Sequence, residues 1–437
     1  MPKQKITGDS IEDAHQEVRG ASEPVQQKIA GRRVRGVTQV AIGPTQPTPP
    51  PATALPSAPL EVRLTCLATT DGVRIIWEAG LIGQRVSRFV PPFVAADLEL
   101  VLRALDLLQY PDSGFTGTEE ARLAALGIPL LNATTARVVG QQLYQALTAD
   151  PQAAQALGTL RDAAAHQGLA LSLHLHLPTH EPGLLGLPWE LLWHPHEPTP
   201  LLLSRGQAHH LTRHLDLAQA SPAPHPPTDP LRLLAIAPQA NLDPAMHAAE
   251  EAARLDAWRP LLDQGRVVLL PTLSPATRVA LSETLRRVGR VDVLHYIGHG
   301  GLREQGVLLL DSPAGRLDPT PISQLAPLLA QAQVRLVVLT ACQSGMVRQQ
   351  VAPVGVLSGV APALIAQGVP AVVAMQHTVR QQDANRATRI IYEQLVAGVS
   401  LAAAVAAARM ALYTEAPDGV AWYVPTLYVG PQPSVVQ

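Results

Sequence analysis

Short, mostly apolar runs alternate with longer amphipathic stretches along this chain, and the alternation becomes regular in its second half. The runs at 231–238 (LRLLAIAP), 267–271 (VVLLP), 291–297 (VDVLHYI), 334–340 (VRLVVLT) and 369–375 (VPAVVAM) are short and rich in β-branched residues. That pattern predicts strands covered on both faces. Between them, helical spacing predicts helices at 245–264, 276–288, 321–330, 354–367, 384–397 and 401–412, and a hairpin-like insertion at 306–317. Such alternation predicts an α/β fold: a mostly parallel sheet flanked by helices.

Ahead of this block the pattern is looser. Two alternating runs joined by Thr-Thr-Asp-Gly predict a β-hairpin over 61–80. Helices are expected at 95–108, 119–126 and 136–148, and strands at 170–178 and near 201–203. The segment LGLPWELLWHP (185–195) is apolar around a single acid, Glu190. Proline-rich tracts at 44–59 and 221–230 favour extended chain and punctuate the sequence. They divide it into an arm (1–59), a smaller α/β region (60–220) that packs on the following half, and a C-terminal domain (231–437).

Composition narrows the function. A net charge of −2 and only 16% charged residues give no bulk attraction for nucleic acid or anionic membrane. With 3% aromatics, the stacking surfaces of single-strand binders are missing too. The polar first thirty residues hold no secretory core, and no run is long enough to span a membrane. Two cysteines, Cys66 and Cys342, make no disulfide framework, which together with these features leads to the expectation of a cytoplasmic protein.

Chemistry gathers at two strand ends. HYIGHGG (295–301) and LTACQSG (339–345) each follow an apolar run and stop at a reactive group, His299 and Cys342. Open α/β sheets hold their sites beyond the carboxyl ends of the strands, so an imidazole and a thiol are expected on one sheet edge. A thiolate is the reactive form of cysteine, and a histidine in reach can act as its base or as the acid for a leaving amine. The amides of Gly300 and Cys342 are candidates for an oxyanion hole. His295, inside its strand, is expected to be structural or to support the site from behind, with the role of base as the lesser alternative, and Ser344 lacks the glycine spacing of a nucleophile elbow.

No cofactor is expected, because the chain carries neither a phosphate-binding loop nor a dinucleotide fingerprint. His174 and His176 share a strand face, and His210 and His214 would share one if helical. No cysteine or carboxylate stands at ligand spacing to them, so no metal is expected.

Taken together, HYIGHGG and LTACQSG resemble the CHAT-domain family of caspase-like cysteine peptidases, in the group with caspases, separases, gingipains and clostripain. LGLPWELLWHP, LLAIAP with the acids Glu250 and Glu251, GVLLLDSPAGRL, and the segments from GVAPALIAQGVPAVVAM to WYVPTLYVG are similar to the family's as well. The resemblance covers residues from about 150 to 437. It implies a caspase-like fold, with the 60–220 region as a pseudo-caspase-like half. It implies a latent endopeptidase with His299 as base and Cys342 as nucleophile, a protein or peptide substrate, and a regulatory protein partner, in a setting such as bacterial defence or programmed death. A catalytically idle scaffold on the same fold is the competing expectation. Several relatives cleave after arginine or lysine by means of a pocket carboxylate; Asp311, Asp318 and Asp383 are the candidates here. Basic specificity would make Arg32, Arg33 and Arg35 of the arm self-processing sites. The family's tryptophan after the VVAM strand is replaced by Gln376 or His377.

Overall fold

The apolar runs do form strands, and the reason is visible in their surroundings. The structure, a computed structural model, describes residues 58–70, 72–108, 114–130, 132, 134–217, 230–240, 244–298, 300–302, 306–340, 359–377 and 379–431. The expected arm therefore lies outside the described residues except for its last two positions. Residues 57–437 form one compact unit.

In the first region, β1 (Leu60–Thr69) and β2 (Gly72–Ala79) make the expected antiparallel hairpin, with Thr69 opposite Gly72. A further strand, β3 (Gly83–Phe89), extends it. Its sequence GQRVSRF carries no apolar alternation because it is an edge strand, with Gly83–Val86 and Arg88 exposed. Helices α1 (Ala95–Leu107), α2 (Gly117–Ala125) and α3 (Thr135–Leu147) follow, then α4 (Pro151–Gln167), which apolar spacing did not suggest. Its ends nevertheless carry start and stop signals. Asp150 accepts from the Gln152 amide, Pro151 opens the helix, and Gly168 closes it in the left-handed region at φ 64°.

Strand β4 (Leu171–Pro178) leads to the short helix α5 (Pro182–Gly186). The run at 201–203 corrects the expectation: it is a 3-10 turn, Leu201–Leu203, closed by the Leu203 amide on the Pro200 carbonyl. Three leucines after a proline are buried there by packing, without a ladder. The strand is β5 (His210–Asp216), so His210 and His214 share a face by strand period and not by helical period.

The second half runs β6 (Leu231–Ile236), α6 (Pro244–Asp263), β7 (Val267–Leu269), α7 (Arg278–Val288), β8 (Val293–Tyr296), β9 (Gly300–Leu302), β10 (Gly306–Asp311), β11 (Leu317–Pro321) and α8 (Ile322–Gln331). It continues through β12 (Leu336–Leu339), α9 (Val360–Ala366), β13 (Ala371–Met375), α10 (Gln381–Val396), α11 (Leu401–Glu415) and β14 (Pro425–Val429). One sheet has the order β3-β2-β1-β4-β5-β14-β13-β12-β8-β6-β7, and β9, β10 and β11 form a small antiparallel sheet of their own. From β13 through β12, β8 and β6 to β7 every pairing is parallel. All residues of β8, β12 and β13 are buried, as expected for strands covered on both faces.

Strands of the first region join the sheet of the second through β5, which pairs in parallel with β14. Beside that seam lies the role of Glu190. This fully buried carboxylate accepts from Arg213 of β5 through both oxygens, and Arg409 of α11 stands 3.6 Å away. Arg213 also donates to the carbonyls of Leu185 and Leu187 and to Gln376, which follows β13. Arg409 donates to the Pro425 carbonyl at the start of β14. Burial holds its guanidinium down to about 10. The segment carrying Glu190 is clamped in turn by α3: a methyl group on Gly140 would meet the Leu191 carbonyl oxygen at 1.9 Å. Only glycine permits that approach.

Breaking a buried ion pair from one side leaves an uncompensated charge, at a cost of about 3–5 kcal/mol. Glu190→Gln is therefore expected to destabilise the unit by that order. Denaturant titration would measure it, and a midpoint equal to wild type would refute the role assigned to Glu190.

Candidate active site

Parallel strands deliver their carboxyl ends to one edge, and a cavity of about 210 Å³ opens there. Its walls come from the segment after β6 (Ala237, Pro238, Ala240), from Ile297 and Gly298 after β8, and from Thr340 after β12. Val379, Gln381 and Ala384 of the β13–α10 corner and His247, Glu250 and Arg254 of α6 complete it, with Leu309 and Leu317 from the small sheet. Gly298 and Thr340 immediately precede HG and AC in the two sequence motifs. His299 and Cys342 themselves lie outside the described residues, as does Ser344. Gly300 begins β9, with its backbone opposite Leu308 of β10.

Both strand ends are fastened. The Tyr296 hydroxyl donates to the Leu309 carbonyl at 2.7 Å, which ties β8 to β10. Gly298 packs on that phenol so closely that a Cβ would sit 2.9 Å from its oxygen. On β12, both the amide and the hydroxyl of Thr340 donate to the Tyr296 carbonyl, at 3.0 and 3.2 Å. His295, fully buried as expected for a structural histidine, lies beneath them between Thr340 and Tyr392. Burial, and next the charge of Arg254, hold its imidazole well below the usual histidine range.

The three aspartates expected to serve a basic substrate side chain are placed differently from one another. Asp311 is buried, and its two oxygens accept from the amides of Gln239, Ala240 and Ala276 at 2.7–3.2 Å. It thus braces the cavity wall after β6 and does not line the cavity. Asp318 is exposed on β11; its neighbour Leu317 faces the cavity, and successive strand residues point to opposite sides. Asp383 lines a separate cavity of about 440 Å³ with Arg380, Glu415 and Asp418. Burial, and then the Glu415 charge, raise its carboxyl against the pull of Arg380.

Among the described residues the carboxylate in the strand-end cavity is that of Glu250. One helical turn on, Arg254 is buried with its Nη2 3.8 Å from Glu251. In the sequence Glu250 stands out only as one acid of an acidic helix. Helical phase could have flagged it, since 247, 250 and 254 share a face. Gln376 and His377 turn away from the cavity. Gln376 bonds Arg213 and the carbonyls of Gly186 and Leu187, and His377 Nδ1 lies 3.3 Å from Asp106 of α1.

His174, His176 and His214 form a separate cluster on the β4–β5 face. His174 Nδ1 is 3.1 Å from His214 Nε2 and its Nε2 is 2.5 Å from Glu61, while His176 stacks on His214 at 4.6 Å. Among the described residues no three His, Cys, Asp or Glu side chains are placed to hold a metal ion. Among the same residues, no helix is long and apolar enough to cross a membrane.

The CHAT domain family matches residues 137–424 of this chain. Among solved structures, two of the Saccharomyces cerevisiae separase–securin complex align at 10% identity and a TM-score of 0.44. Those alignments cover 85% of this chain and 30% of the separase chain, so this chain spans under a third of that protein's length. A secreted C11 cysteine protease from Bacteroides thetaiotaomicron, in complex with an irreversible peptide inhibitor, aligns at 12% identity and a TM-score of 0.31. It covers 42% of this chain and 59% of its own. No curated protein matches.

The histidine cluster generates a pH dependence. Burial, then the Arg63 charge, lower His176 to about 4, and burial with the neighbouring His176 and His174 lowers His214 to about 3. Unfolded imidazoles take up protons near pH 6.5, so below that pH the unfolded chain binds more protons and gains stability relative to the folded one. Stability is expected to be level above about pH 7 and to fall as pH drops from about 6.5 toward 4. Denaturation at pH 7.5, 5.5 and 4.5 would measure the slope. His176→Gln together with His214→Gln should make it shallower, the remainder coming from other buried histidines such as His209 and His295, and an unchanged slope would count against the cluster as a source.

Proposed function

The chain belongs to the CHAT domain family, which matches well over half of its length, and on that premise we propose that it is a cysteine endopeptidase using Cys342 as nucleophile and His299 as base. One observation carries the reading. The strand-end cavity is walled by Gly298 and Thr340, one residue before His299 and two before Cys342. Parallel pairing of β8 with β12, Tyr296 opposite Leu339, puts those two strand ends side by side.

In this reading a substrate side chain enters the cavity while the scissile carbonyl lies over its mouth. The Cys342 thiolate attacks the carbonyl carbon, and the amides of Gly300 and Cys342 hold the developing oxyanion. Protonated His299 gives its proton to the leaving amine. It then takes a proton from the water that attacks the thioester, and hydrolysis releases the acid and regenerates the thiol. Mixed charge in the cavity bears on specificity: Glu250, partly exposed, is the carboxylate that a basic side chain would meet. Buried Arg254, one helical turn on, lines the same cavity. The domain boundaries at 59, 220 and 231, latency, and activation by a partner or ligand belong to the same proposal. Its cytoplasmic setting does too.

Peptide-library profiling of the full chain tests this. Cys342→Ala is expected to abolish cleavage, and His299→Ala to lower kcat/KM by a factor on the order of 10² or more. Wild-type protein that neither cleaves any peptide nor is labelled by a thiol-reactive peptide probe, with or without cell extract, would favour the idle scaffold. Glu250→Gln is expected to raise KM for arginyl and lysyl substrates about tenfold with kcat little changed, because the contact is made equally in the bound and transition states. Unchanged KM would remove Glu250 from substrate recognition.

A further inference from the structure

Beneath the cavity floor lies a hydrogen-bond chain that the peptidase reading leaves without a task. His295 of β8 is fully buried and packed against the Trp258 ring of α6, with centroids 5.0 Å apart. Its Nε2 is 3.0 Å from the Thr340 hydroxyl and its Nδ1 is 2.9 Å from the Tyr392 hydroxyl of α10. The Thr340 hydroxyl has one hydrogen, and it donates that hydrogen to the Tyr296 carbonyl at 3.2 Å. It must therefore accept from His295, which puts the imidazole proton on Nε2 and leaves Nδ1 to accept from Tyr392. His295 and Thr340 each fill one donor role and one acceptor role, and Tyr392 donates to the chain. A neutral imidazole is the form this arrangement holds; a second proton would leave the Tyr392 hydroxyl without its acceptor.

What the chain fixes is the end of β12. Regular pairing of β12 with β8 stops at Leu339 opposite Tyr296. Thr340 is the next residue and Cys342 follows two positions later. Past Leu339 the ladder to β8 continues only through the Thr340 amide, and the side-chain bond between His295 and Thr340 adds the second hold on the direction in which the chain leaves the sheet. Tyr392 links that setting to α10, whose first turn contributes Gln381 and Ala384 to the cavity. Building on the peptidase reading above, we propose that His295 is a positioning residue. Through Thr340 it sets the direction in which the chain leaves β12, two residues before Cys342, and through Tyr392 it ties that direction to the helix that walls the substrate cavity. His295 neither touches substrate nor exchanges protons in the reaction.

Thiol alkylation reads this without knowledge of the substrate. The chain has two cysteines, and burial pushes the Cys66 thiol up to about 12, so iodoacetamide reports on Cys342. The rate of carbamidomethylation of the Cys342 peptide would be followed by mass spectrometry from pH 5.5 to 9.5 on the full chain. Wild type is expected to show an apparent thiol pKa below the ordinary value of about 8.5. Thr340→Ser retains the hydroxyl and should keep the wild-type profile. Thr340→Val keeps the shape but loses the hydroxyl, and should move the apparent pKa up by about one unit, slowing alkylation near pH 7 about tenfold. Tyr392→Phe should move it in the same direction by less.

A merely structural role would lower the melting temperature of the variants and leave their alkylation profiles on the wild-type curve, and that result overturns the proposal. Should Thr340→Val fail to fold, Tyr392→Phe decides by the same criterion. Wild-type Cys342 titrating as an ordinary free thiol both with and without cell extract would overturn the peptidase reading and this inference with it. An activated wild-type thiol with unmoved variants overturns this inference alone.

Discussion

One buried carboxylate organises the joint on which this molecule depends. Glu190 sits at no measurable exposure between the guanidinium groups of Arg213 and Arg409, which come from a strand of the first region and a helix of the second. A charge removed from water is tolerated only when it is paired and hydrogen-bonded, so the three side chains have to meet for either region to close. The surrounding carbonyls of Leu185, Leu187 and Pro425 take up further guanidinium hydrogens. The ions thus fix more than their own distance: they set the register in which β5 lies beside β14.

The cavity inherits that geometry at one remove. Gln376, directly after β13, is bonded to Arg213, and the next residue, His377, meets Asp106 of α1. The chain then turns through Val379 and Gln381 into the cavity wall. One wall of the candidate active site is therefore held from the first region, while the opposite wall is braced by Asp311 through three backbone amides. The strands supply only approximate position, because apolar packing is non-directional. The hydrogen bonds at their ends supply the direction. Asp311, Tyr296 and His295 each fasten one end, and each is buried with its acceptors or donors filled.

How much of this could be read from the chain follows the same division. Apolar runs of β8, β12 and β13 announced themselves because both of their faces are covered, and the motifs that end them located the site edge by position alone. Helix α4 was missed although Asp150, Pro151 and Gly168 mark its ends, since its alanine- and glutamine-rich interior gives little apolar contrast. Strand β3 was hidden because an edge strand has no need of an apolar face. The leucines at 201–203 read as a strand because burial and strand pairing leave the same trace in a short run.

Composition and pattern determined the α/β class, the family, and the two strand-end motifs, because those depend on which residues must leave water and in what period. Which carboxylate faces the cavity was decided only by the tertiary structure. Asp311, Asp318 and Asp383 are equally acidic in the sequence. Backbone amides occupy the first, strand alternation turns the second outward, and a different cavity takes the third, while Glu250 arrives from a helix far away in the chain. The partners of Glu190 likewise lie on elements remote from it. Long-range pairing of polar groups leaves no periodic trace along a chain, so it becomes legible only once the sheet has closed.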